Sequence, residues 1–353
     1  TRNPYALKID YIKEPPFFDV SPTHKAATWL LDERAPKVNY DLLNDDEKGS
    51  ETKELHTEKI LETDDLTHYF RLGKNSYVKA VSHVSFDIYR GEVFALVGES
   101  GSGKSTLARC LLGIHSPLGG KAYYDNIDLT AKHHSRKERE RLSKELQFIS
   151  QDSGNALDFK MTVRDIIAEP LEIHRVYKSR AGTDEQIKKI LKKVRLDESL
   201  LDKRPSELSG GQRQRVNIAR AYVMEPRLLV ADEPLSSLDV SIQAQIVDIL
   251  SELKKERETA VLLIAHDLSM VEFISDRVGV MYKGHLVELA NTAELFKNPI
   301  HSYTRALLSH APKPDPALEK AKTISVYKKP EKEFTHSDWK EVSEGHFVLG
   351  EDE

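Results

Sequence analysis

One stretch limits the possible folds more than any other: Gly98-Glu-Ser-Gly-Ser-Gly-Lys-Ser105. It fits G-x-x-x-x-G-K-[ST], the pattern of a loop that cradles phosphates. The apolar run Val93–Val97 before it reads as a buried strand, and Thr106–Leu112 after it reads as a helix. That context makes Gly98, Glu99, Ser100, Gly101, Ser102, Gly103, Lys104, Ser105 and Thr106 a candidate nucleotide site. The glycines let the backbone close on a polyphosphate with its N–H groups inward, while the helix turns its positive end toward the same anion. Lys104 is placed for the β- and γ-phosphates and the Ser105 hydroxyl for Mg2+.

Length and composition narrow the setting. At 353 residues, 39% hydrophobic and 31% charged, the chain can bury a sizeable core and suggests about two domains. A net charge of −5 argues against nucleic acid as the partner. No stretch reaches the ~18 apolar residues of a membrane span, and the polar start Thr1–Tyr5 is not a signal peptide, so a cytoplasmic chain is expected. Cys110, the one cysteine, permits no internal disulfide or Cys-ligated cluster and suits a small core position.

In chain order, residues 1–40 read as a tail with Pro-rich and aromatic pieces, and 41–57 as an acidic linker. Ile60–Leu66 and Val78–Phe86 suit antiparallel strands, with a turn at 73–76. Tyr69 and Phe70 are both candidates for stacking on a nucleotide base. His133 and His134 are expected on a solvated helix face. Leu146–Ser150 reads as a strand ending at Gln151, a polar amide where α/β sheets bind ligands. Residues 161–204 look helical, with a capping box expected at Thr183–Gln186 and an apolar stripe of Ile187, Ile190, Leu191 and Val194. Ser209, Gly210, Gly211 and Gln212 open another helix whose free N–H groups suit an anion.

Arg227–Glu233 is an apolar strand ending in two carboxylates. Asp232 is placed to support Mg2+ and Glu233 to polarise an attacking water. The segment 236–239, ending at Asp239, reads as a turn, and Ala260–Ala265 as a further buried strand with His266 at its carboxyl end, where a ring N–H reaches a γ-phosphate.

The phosphate loop, Gln151, Leu-Ser-Gly-Gly-Gln at 208–212, Asp232-Glu233, the 236–239 turn and His266, in that order, resemble the nucleotide-binding subunit of an ABC transporter. The resemblance covers about residues 58–296. It implies an α/β fold: a RecA-like P-loop NTPase core with an antiparallel β subdomain and an inserted helical subdomain at about 152–225. It also implies two subunits closing head to tail on two ATP molecules, the phosphate loop of one facing the Ser209 helix of the other. By position, Phe70 becomes the base-stacking ring with Tyr69 second, Gln151 a link from Mg2+ to the membrane-facing loop, Glu233 the catalytic base and His266 the γ-phosphate switch. Leu235 stands where a Thr is usual.

Residues 296–308 resemble the extension of oligopeptide and dipeptide importer ATPases, and Glu344–Leu349 the tail of their second, F-type subunit. Residues 297–353 are therefore expected to form that extension, and no iron–sulfur cluster is expected. Segments within residues 2–38 are similar to the C-terminal tail of the first, D-type ATPase, so a D–F fusion, or a fragment of one, is expected. The implied partners are a D-type ATPase, whether separate or fused ahead of residue 1, two membrane-spanning permease subunits and, indirectly, an extracellular peptide-binding protein. The implied location is the cytoplasmic face of the membrane. Nickel or oligosaccharide import, or a soluble role in translation or DNA repair, are the alternatives.

Overall fold

Apolar runs buried on both faces need neighbours on both sides, which favours parallel strands covered by helices. A computed structural model describes residues 9, 13–21, 24–32, 34–35, 58–73, 76–151, 156–236, 238–311, 327 and 339–350. The expected acidic linker at 41–57 lies outside them, as do the loop 152–155, Ser237 and the middle of the turn at 73–76. The chain divides into two units, Thr1–Leu55 and His56–Glu353.

The first unit carries a hairpin inside the stretch expected as a tail: β1 (Phe17–Ser21) pairs antiparallel with β2 (His24–Ala27). The buried Trp29 donates its indole N–H to the Lys13 carbonyl at 3.0 Å. The strands are too short for alternation to reveal them.

In the second unit, β3 (Lys59–Arg71) and β4 (Tyr77–Tyr89) form the expected antiparallel pair. β5 (Val93–Val97) leads through the phosphate loop into α1 (Lys104–Leu111). β6 (Gly119–Tyr124) and β7 (Ile127–Asp128) complete a sheet ordered β4-β3-β6-β7. α2 (Arg136–Glu145) is capped by Ser135, so His133 and His134 precede the helix instead of lying on its face. The His134 ring meets the Asp128 carbonyl at 2.9 Å.

β8 (Leu146–Ile149) is followed by α3 (Val163–Ile173), α4 (Arg180–Lys193) and α5 (Gly210–Tyr222). α4 begins a turn earlier than expected because Ser179 is extended and its hydroxyl accepts from the Gly182 N–H at 3.3 Å; Thr183 is a buried residue inside the helix, not a cap. The stripe Ile187, Ile190, Leu191 and Val194 is buried, as its spacing predicts.

β9 (Leu228–Asp232), α6 (Val240–Arg257), β10 (Ala260–Ile264), α7 (Leu268–Ile274), β11 (Arg277–Tyr282), β12 (His285–Asn291), α8 (Thr292–Lys297), α9 (Ser302–His310), β13 (Trp339–Ser343) and β14 (His346–Leu349) follow. Among the described residues the main sheet is ordered β13-β14-β12-β11-β5-β10-β9-β8. Its β11-β5-β10-β9-β8 part is parallel, and every residue of β5, β9 and β10 is buried. One face packs under α3, α4, α5 and α6. The other packs against α1 and the antiparallel sheet, with Phe86 stacked on Phe94 at 5.0 Å between centroids. The terminal hairpin β13–β14 joins this sheet through β12, an outcome its mostly exposed β13 hides from pattern reading.

Cys110 is buried on α1, as expected of a core residue, and burial pushes its thiol from 9.0 up to about 11. The unfolded thiol therefore gives up its proton first, so this group withdraws stability as pH rises from about 9 to about 11. At about pH 8 a thiol reagent is expected to modify the native chain on the order of 100-fold more slowly than the urea-unfolded chain. Equal rates would mean that α1 does not pack as described.

Candidate active site

The phosphate loop owes its path to glycine. Gly98 takes φ 146° and Gly103 φ 108°, values that side chains rarely adopt. A Cβ on Gly103 would stand 1.9 Å from the Ala80 carbonyl oxygen, and one on Gly98 2.1 Å from that of Met281. The loop thus sits directly on β4 and β11. Lys104, 4% exposed, reaches back over it and donates to the carbonyls of Gly98 and Glu99, both at 2.8 Å, and to the Ser102 hydroxyl at 3.3 Å. Burial lowers its pKa, opposed by the carboxylates of Glu233, Asp232 and Glu99. A buried ammonium directed at neutral oxygens, beside the free N–H groups of α1's first turn, is a receptor for a polyanion.

Ser105 donates its hydroxyl to Asp232 Oδ1 at 2.9 Å, joining α1 to the end of β9. Hydroxyl and carboxylate oxygens side by side are the hard donors that suit Mg2+. Asp232 is 2% exposed, and such a buried acid needs a cation or a donor.

Glu233 adopts φ 47°, a left-handed conformation that costs a non-glycine residue on the order of 1–3 kcal/mol. Its N–H donates to the Ile264 carbonyl at 3.0 Å, and its own carbonyl accepts from the Ser236 hydroxyl at 3.0 Å. So held, the carboxylate accepts from the Gln151 amide at 2.5 Å on one oxygen and meets His266 Nε2 on the other. These three residues follow β8, β9 and β10, adjacent parallel strands whose carboxyl ends lie side by side. A cavity of about 160 Å3 lies against Glu233, His266 and Met270. A fixed carboxylate flanked by an amide and an imidazole is equipped to accept a proton from a bound water.

Other expected residues lie elsewhere. Phe70 is 37% exposed and meets the rings of His68 and His115 edge-on at 4.9 and 5.5 Å; the Tyr69 hydroxyl lies 3.5 Å from that of Ser82. Ser209 caps α5 and exchanges a capping box with Gln212, at 2.9 and 3.3 Å. Gly210 and Gly211 form its first turn, and a Cβ on Gly211 would stand 2.8 Å from the Ile242 side chain of α6. Asp239 caps α6 through its backbone. Sequence reasoning passed over Tyr303, whose hydroxyl accepts from the Glu99 N–H at 3.0 Å. The signal was only an aromatic residue in a distant helix.

A phosphate loop, a paired acid at the end of another strand of the same parallel sheet and a Ser-Gly-Gly helix cap in the helical layer define a nucleotide-hydrolysing ATPase of the cassette class. The ABC transporter family model matches residues 81–236, and that of the oligopeptide/dipeptide transporter C-terminal region matches residues 287–335. The chain is 44% identical over 296 residues to the oligopeptide transport ATP-binding protein OppF of Streptococcus mutans, covering 84% of this chain and 96% of that one. It is 44% identical over 299 residues to OppF of Bacillus subtilis, covering 83% and 96%. Among solved structures, the dimeric ATP-binding cassette MJ0796 bound to ADP and Pi superposes with a TM-score of 0.60 at 26% identity, over 66% of this chain and 99% of that one. CbiO1 of Clostridium perfringens, part of an ABC transporter complex, gives 0.60 at 30%, over 69% and 92%. The chain belongs to the ABC transporter family, among its ATP-binding proteins. It binds nucleotide and hydrolyses ATP, and among the described residues no helix is long and apolar enough to cross a membrane.

Proposed function

We propose that this chain powers import of oligopeptides or dipeptides, docked on the cytoplasmic side of two membrane-spanning permease subunits and paired with a second, D-type ATPase. The observation that carries this reading is the oligopeptide/dipeptide C-terminal match at residues 287–335, in the same chain as the ABC transporter match at residues 81–236. An extracellular peptide-binding protein would deliver the cargo.

In this reading residues 58–296 work as the cassette, 152–225 as its helical subdomain and 297–353 as its extension. The loop Gly98–Thr106 and Lys104 hold the phosphates, and Ser105 and Asp232, with Gln151, hold Mg2+. Phe70, or Tyr69 in its place, faces the base. Bound Mg-ATP supplies the phosphoanhydride that water attacks in line. Glu233 takes the proton of that water, Gln151 and His266 orient the carboxylate, and Lys104 faces the charge that develops. Ser209 and Gln212 close the cap on each other, which leaves the N–H groups of Gly210 and Gly211 in the first turn of α5 to face the nucleotide of the second subunit. Asp239, the cap of α6, is assigned to the same nucleotide site.

Detergent extraction of the chain from its native membrane, followed by mass spectrometry, tests the assembly. Two permease subunits, a D-type ATPase and a peptide-binding protein are expected. Ribosomal or DNA-repair proteins without a permease would leave the ATPase standing and overturn the transport role.

A further inference from the structure

The phosphate loop is also held from the far end of the chain. The Glu99 N–H donates to the Tyr303 hydroxyl across 204 residues of sequence. Glu99 is the second residue of the loop, so an amide at its entrance is committed to a side chain of α9. Tyr303 is 2% exposed, and its ring packs 4.4 Å from that of Tyr282, the last residue of β11, and edge-on to Tyr327 at 5.4 Å.

The start of α9 is itself fixed by a buried acid. Glu288 of β12 accepts from the N–H groups of Ile300 at 2.8 Å and His301 at 3.1 Å. His346 Nε2 of the terminal hairpin lies 2.8 Å from the same carboxylate, and neither side chain is more than 1% exposed. His301 Nδ1 then accepts from the Tyr303 N–H at 3.1 Å. A continuous set of bonds thus runs from β14 through Glu288 and the first turn of α9 to the loop.

We propose that Tyr303 is a positioning residue for nucleotide binding, its hydroxyl fixing the entrance of the phosphate loop and tying that loop to the C-terminal extension. The inference rests on the reading of Gly98–Thr106 as the nucleotide site. Burial pushes the phenol up to about 12, so the hydroxyl keeps its proton through the working pH range.

Tyr303→Phe keeps the ring and its packing and leaves the Glu99 N–H without its acceptor. Calorimetry with ADP on the full chain is expected to give a Kd raised roughly three- to tenfold, alike at about pH 6.5 and about pH 8.5. Tyr222→Phe is the control. It removes another buried hydroxyl, bonded to the Leu253 carbonyl at 2.7 Å, and is expected to lower Tm without moving the ADP Kd. A Tyr303→Phe affinity within about twofold of wild type, or a loss matched by Tyr222→Phe, overturns the positioning role. A wild-type chain that bound no ADP would instead sink the nucleotide reading beneath it.

Discussion

Glu233→Gln is expected to lower kcat for ATP hydrolysis by about 10²- to 10⁴-fold while leaving ADP affinity within about twofold of wild type, the range lost with a general base. The substitution keeps the size and shape of the side chain, so the left-handed backbone and its bonds to Ile264 and Ser236 persist. What it removes is the basic oxygen. An amide still bonds Gln151 but takes no proton from water at neutral pH. Among the described residues the carboxylate bonds Gln151 and His266 and not Lys104 or the loop, so binding has little reason to change. Steady-state kinetics beside ADP calorimetry on the same preparation separates the two quantities. Near-normal turnover in this variant would remove Glu233 from the role of base.

Lys104→Ala acts on the other quantity. ADP and ATP affinity are expected to fall by about 10- to 100-fold, the scale of a charge-assisted hydrogen bond lost inside a protein. The ammonium is the buried cation of the loop, and its three bonds to Gly98, Glu99 and Ser102 hold the loop's oxygens together. Burial works against that charge, because desolvation is the largest influence on its pKa. Removing it therefore relieves one cost while exposing another, and Tm is expected to shift by only a few degrees. Thermal unfolding with and without ADP distinguishes lost binding from lost folding: at a fixed ADP concentration the ligand-induced rise in Tm should shrink while the midpoint of the free chain stays close to wild type. An undiminished rise would count against Lys104 as the phosphate ligand.

Legibility in the sequence tracked the range of the interaction. The loop, β5, β9, β10 and the cap at Ser209 are each written in a few consecutive residues, because a glycine at positive φ, a run of buried apolar side chains or a hydroxyl at a helix start is a local requirement. The cap of α4 misled for the same reason: Thr183 and Ser179 both offer a hydroxyl within one turn, and packing of the stripe from Ile187 to Val194 does not choose between them. His133 and His134 were misplaced by a similar margin, since the capping box of Ser135 with Glu138 starts the helix after them.

By itself the sequence determined that a phosphate loop stands between a strand and a helix, that acids, an amide and a histidine end three apolar runs, and that these occur in cassette order. Only the tertiary structure decided that the ends of β8, β9 and β10 meet, so that Gln151 bonds Glu233 across 82 residues and His266 closes on its other oxygen. It also decided that β13 and β14 extend the main sheet and that Tyr303 reaches Glu99. Strand order and register set which distant residues become neighbours, and both follow from how the buried faces of the whole chain fit together rather than from residues adjacent in sequence.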